Sequence, residues 1–85
     1  MKVIKFYADW CGPCKVYAPV FDKVMSESSV EYENINVDND TTGLAAKYKA
    51  MSIPTTIFLK EDGSFTKEVG LLSEEKLKGL IKLKK

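Results

Sequence analysis

Residues 2–21, KVIKFYADWCGPCKVYAPVF, pass from a strand pattern to a helical one across two cysteines. Lys2 to Ala8 is rich in β-branched and aromatic side chains and reads as a strand. Val3, Lys5 and Tyr7 would share one face, and Ile4, Phe6 and Ala8 the other. Beyond the cysteines, Val16, Val20 and Val24 recur at four-residue steps beside Tyr17, Phe21 and Met25, which predicts an amphipathic helix. Gly12 and Pro13 stand at its start, where proline costs nothing because that amide has no helical partner. Pro19 should kink the helix, and Ser26, Ser28 and Ser29 should end it.

Outward from this unit, Val30–Val37 reads as a second strand. Its Glu31, Glu33, Asn34 and Asn36 suit a sheet edge, where charge discourages pairing with other chains. Asp38 and Asp40 are placed to cap a short helix running to about Tyr48, with Leu44, Ala45 and Tyr48 inward. Thr55–Lys60 and Phe65–Val69 are strands joined by a hairpin at Asp62-Gly63. Ser73 caps a last helix with Glu74 and Glu75 in its first turn. Leu77, Leu80 and Ile81 form its stripe, and Lys82, Lys84 and Lys85 complement its dipole at the end. The order is β-α-β-α-β-β-α. A right-handed crossover between the first two strands and the final hairpin make an α/β fold with a mixed four-stranded sheet and helices on both faces. A single domain over residues 1–85 is expected.

Composition narrows the function. An 85-residue chain holds one small core and buries only about 60% of its unfolded surface. Its 45% hydrophobic content is that of a folded domain. The formal charge of +1 asks for no polyanionic partner. All thirteen basic residues are lysine, so the bidentate forks that read phosphates and guanine edges are missing and no nucleic-acid partner is expected. The N-terminal run is too polar for a signal peptide or membrane span, so a reducing cytoplasm is the expected location, without membrane attachment.

Two cysteines and no histidine set the chemistry. A bridge between Cys11 and Cys14 closes too short a loop to staple a fold, but suits a redox couple. Thiol–disulfide exchange needs an attacking thiolate and a second thiol near enough to release the mixed disulfide. Cys11 falls at the helix N-terminus, where unpaired amides favour a thiolate, and Cys14 lies one turn in, more covered. Cys11 is therefore expected to be the accessible thiol. A C-x-x-C can also be half a zinc site, but zinc usually takes four ligands and this chain offers two cysteines. A closed site would need a dimer or carboxylate ligands. Acyl chemistry by Cys11 lacks the usual histidine base.

Trp10-Cys11-Gly12-Pro13-Cys14-Lys15 resembles the thioredoxin active-site motif in full. Phe6, Ala8 and Asp9 fit the run before it, Ala18-Pro19 the kinked helix, Asn36-Val37-Asp38 the next strand end, Ile53-Pro54-Thr55 the cis-proline loop, and Val69-Gly70 the glycine lining the substrate groove. The resemblance implies that Cys11 attacks a substrate disulfide and Cys14 resolves it, with Gly12 and Pro13 supporting the turn. It also implies a cis Ile53-Pro54 bond and a shallow groove framed by Trp10, Ile53, Pro54 and Gly70, along which an extended segment pairs as in β-augmentation. The implied partners are disulfide-containing proteins and a thioredoxin reductase-type electron donor. The implied redox group is the disulfide itself, without cofactor or metal, in a monomer.

The chain departs from the family pattern in two respects. It begins at the strand before the motif, without the usual leading strand and helix. Lys5 stands where the family usually carries a buried aspartate, and Asn34 where it carries a lysine. An ammonium under the sulfurs would favour thiolate; the alternative is a lysine that simply reaches solvent. Two other functions stay open on the sequence. One is a glutaredoxin-like protein using glutathione, and the other is a binding module whose cysteines are incidental.

Overall fold

The computed structural model describes residues 1–82. Strand β1 (Lys2–Tyr7) leads into helix α1 (Gly12–Ser28), then strand β2 (Glu31–Asn36) and a 3₁₀ turn (Val37–Asn39). Helix α2 (Leu44–Lys47), strands β3 (Thr55–Leu59) and β4 (Phe65–Val69), and helix α3 (Glu74–Lys82) complete the order. The sheet runs β2-β1-β3-β4. β1 is parallel to β2 and antiparallel to β3, and β3 and β4 form the antiparallel hairpin. This is the mixed four-stranded α/β architecture expected from the order of elements.

The alternation in β1 divides the core in two. Val3 joins Tyr17, Phe21, Val24 and Met25 of α1, Phe58 of β3 and Leu77 of α3 on one face. Ile4 and Phe6 join Ile57 and Tyr48 on the other, with Leu44, Ala45 and Ile53 packed against them. Helices thus lie on both faces. Each fully buried side chain of α1 contributes about 1.5–3 kcal/mol relative to exposure. The same buried row carries Cys14, so packing α1 on the sheet also sets that sulfur. β3 is covered on both sides, as a central strand should be, whereas β2 keeps Glu31, Tyr32 and Asn34 exposed at its edge.

The chain ends its helices much as read. Ser29 leaves α1 in the left-handed region, with φ of 61°, while Ser26 and Ser28 hydroxyls donate to carbonyls within the last turns. Ser73 Oγ accepts from Lys76 N at 3.1 Å and caps α3. At the hairpin, Asp62 accepts from Ser64 N and Gly63 takes a φ of 93°.

Two expectations need correction. Val16 is 63% exposed, because α1 turns its Cys14–Tyr17–Phe21–Val24 row inward and leaves Val16 beside it. The segment read as one helix from Asp38 divides into the 3₁₀ turn and a four-residue α2. Only Asp40 holds α2, accepting from Leu44 N and Ala45 N at 3.1 and 2.8 Å. Asp38 instead accepts from Trp10. The expected dipole partners Lys84 and Lys85 lie outside the described residues.

Candidate active site

Cys11 is the N-cap residue of α1. Its backbone is extended, with φ of −90° and ψ of 112°, and its Sγ accepts from Cys14 N at 3.2 Å. Pro13 occupies the first turn, where the missing N–H leaves no unmet partner. The strand therefore delivers Cys11 to the N-terminal end of a helix, where the Cys14 amide faces its sulfur. Partial positive charge at that end favours an anion there. Cys11 and Cys14 are joined as a disulfide, with Cα atoms 5.2 Å apart.

Relative exposure does not separate the two residues as expected: Cys11 is 5% exposed and Cys14 4%. In the disulfide form both cysteines join Ala8 in a buried cluster against which Tyr7, Val37 and Ile53 pack. The two differ in what they face. Cys11 Sγ lies 3.9 Å from the Ile53 carbonyl oxygen, which can accept from the thiol once the bond is reduced. Cys14 lines a cleft of about 510 Å³ on the other side, walled also by Lys5, Tyr7, Ala8, Asp9, Lys15, Ala18, Asp22 and Asn34.

The loop before β3 reaches Cys11 from across the sheet. The Ile53-Pro54 peptide is cis. Among the described residues, neither the N–H nor the carbonyl of Ile53 enters a backbone hydrogen bond. Gly70 N donates to the Pro54 carbonyl at 2.8 Å, which joins the end of β4 to this loop. Gly70 has φ of 92°, a conformation that side-chain-bearing residues rarely adopt, and the space where a Cβ would point is empty. Trp10 is 69% exposed, and its Nε1 donates to Asp38 Oδ2 at 2.9 Å. Asn36 similarly reaches Asp9 at 3.4 Å. Sequence reading does not foresee these two clasps, although a parallel β1–β2 pair with Tyr7 opposite Asn36 brings the two strand ends together.

Lys5 is 4% exposed, on the α1 face of β1. Its Nζ lies 4.8 Å from the Phe21 ring centroid, 5.5 Å from Tyr7 and 5.7 Å from Tyr17. Burial lowers its pKa, opposed by the Asp22 carboxylate. Structure thus brings Cys11, Cys14, Gly12, Pro13, Ile53, Pro54 and Gly70 to one end of the sheet, with Trp10 at the rim and Lys5 in the wall of the cleft that Cys14 lines.

The thioredoxin family model matches residues 1–83. The chain belongs to the thioredoxin family. It is 36% identical over 81 residues to the thioredoxin of Mycoplasmoides gallisepticum, covering 94% of this chain and 80% of that one. It is 38% identical over 80 residues to that of Mycoplasma pneumoniae, covering 93% and 78%. Among solved structures, Fasciola hepatica thioredoxin superposes with a TM-score of 0.87 at 34% identity, covering 99% of this chain and 80% of that one. A mutant thioredoxin from Halobacterium salinarum gives 0.88 at 32%, covering 98% and 73%. Like other thioredoxins, this protein is a disulfide oxidoreductase, and Cys11–Cys14 is its active-site disulfide. Among the described residues, no helix is long and apolar enough to cross a membrane.

Proposed function

We propose that this thioredoxin reduces disulfides in proteins, with Cys11 attacking and Cys14 resolving, as a single domain over residues 1–85. The observation that carries the assignment is Cys11 as N-cap of α1. In the reduced form its thiolate gains from the first-turn amides, while Cys14, one turn in, has no such helix end to face. The Cys11 thiolate attacks a substrate sulfur. A Cys11–substrate disulfide forms, the substrate disulfide breaks, and the released sulfur takes a proton from solvent. The Cys14 thiolate then attacks Cys11, the Cys11–Cys14 bond forms, and the second substrate sulfur leaves reduced. Two electrons have passed to the substrate, and the chain is left with the bridge seen here.

The substrate lies as an extended segment beside Ile53, whose backbone groups have no other backbone partner, and over Pro54 and Gly70, with Trp10 as an apolar rim. Gly12 and Pro13 keep the sulfurs at the helix start without adding charge. A thioredoxin reductase-type partner returns the electrons, and the protein acts as a monomer in a reducing cytoplasm.

Insulin reduction with dithiothreitol as electron source tests the assignment. Cys11→Ser should abolish turnover, and Cys14→Ser should accumulate a Cys11-linked mixed disulfide. Limited alkylation of the reduced protein should label Cys11 first. A mixed disulfide trapped on Cys14 in the Cys11→Ser protein, together with labelling of Cys14 first, would reverse the roles.

A further inference from the structure

Lys5 is the one charged residue among the described residues whose side chain is buried, and the two-thiol exchange makes no use of it. It stands in the middle of β1, opposite Asn34 of β2 and Thr56 of β3, under the three aromatic rings. A lysine at such a position is costly, since burial disfavours its charge, and ring faces offset only part of that cost. The cleft that Lys5 lines is also lined by Cys14 and opens to solvent.

We propose that Lys5 is a positioning residue for the resolving step: its ammonium, in the wall of the cleft that Cys14 also lines, favours the Cys14 thiolate, and cleft water takes up the proton. The proposal rests on Cys14 as the resolving thiol. On reduction of a substrate, the S–H bond of Cys14 breaks and its proton passes to water. The thiolate, held against the Lys5 charge, then closes the bond to Cys11. Lys5 keeps its proton throughout, so no further acid, base or oxidant is needed.

The other charges on the cleft do not cancel this effect. Asp9, next to β1, and Lys15 and Asp22, on α1, are exposed, and β2 contributes the uncharged Asn34. Tyr7 and Tyr17 face Lys5 as rings. Water and salt screen the exposed charges, whereas a buried one is screened much less. Formally the four ionised groups sum to zero. In effect, the shielded ammonium acts most strongly on the shielded sulfur.

The test reads Cys14 alone. In a Cys11→Ser background, the ultraviolet absorbance of thiolate follows the titration of Cys14 without any substrate. Adding Lys5→Met, which keeps the stem, should raise the Cys14 midpoint by about one pH unit. Lys5→Arg should restore it. In the two-cysteine protein, Lys5→Met should slow resolution of the mixed disulfide about threefold. Tenfold less thiolate is partly offset by the greater nucleophilicity of a more basic sulfur. Removing a buried charge should not lower the melting temperature. A Cys14 midpoint unmoved by Lys5→Met overturns the proposal. So does a midpoint that Lys5→Arg fails to restore in a folded variant. Should Lys5→Met fold poorly, the Lys5 Cε resonance of the Cys11→Ser protein supplies the answer, because it should step at the Cys14 midpoint. No step there overturns the proposal too. These readings are independent of which thiol attacks first, which alkylation decides.

Discussion

At the scale of single residues, Tyr17 shows how a buried polar group ties stability to pH. Its hydroxyl shares a 2.8 Å hydrogen bond with Thr56 Oγ1 under α1. Burial pushes its pKa up to about 12, against the lowering effect of the Thr56 bond. The unfolded chain ionises tyrosine near about pH 10, so the folded state holds the proton more tightly. The contribution of this group is therefore complete below about pH 10 and is lost as pH rises toward the folded value. Denaturant melts across that range should show an alkaline fall that is shallower in Tyr17→Phe. At neutral pH the same variant should lose about 1 kcal/mol, because Thr56 is left without its partner. Tyr17 is legible as an inward residue from its place in the helical pattern, and Val16 is misread for the same reason. A four-residue step marks two adjacent rows equally well, and only the sheet decides which one it covers. Lys5 is legible as a departure, but its burial is not, since the residue type points to solvent.

Among the elements, those with a long apolar period are the most readable. α1, β1 and the β3–β4 hairpin carry clean patterns, and the Asp62-Gly63 turn marks its own position. The stretch between β2 and β3 is less legible because two aspartates at 38 and 40 look alike as caps. Their side chains take different partners: Asp38 the Trp10 indole, Asp40 the amides that open α2. A four-residue helix is also too short to show a period. The Ala45 amide, with a lesser contribution from that of Leu44, holds the Asp40 carboxyl below its ordinary range, against the opposing effect of desolvation. This depressed pKa stabilises the fold above the unfolded carboxylate value near about pH 4, and the gain is lost as pH falls through the folded value. Asp40→Ala should therefore flatten the acid limb of the stability curve. It should also speed hydrogen exchange at the Leu44 and Ala45 amides, while leaving amides in β1 and β3 protected. Unchanged exchange at those two positions would mean that α2 is held by packing alone.

For the whole molecule, the crossover and the hairpin are both readable, and together they give the class of sheet. The groove is legible only through family likeness, since nothing in the composition of Ile53, Pro54 or Gly70 places them beside residue 11. That meeting depends on β1 lying between β2 and β3. The same placement governs how the protein can be made. A ribosome releases β1 before either of the strands that pair with it, and the loop that meets Cys11 arrives with the second of them. Cys11 therefore waits, without its structural frame, until β2 and β3 have been synthesised. Ribosome-bound chains stalled with only residues 1–54 exposed should be readily cleaved by protease. Resistance should appear in one step after β3 and β4 have emerged.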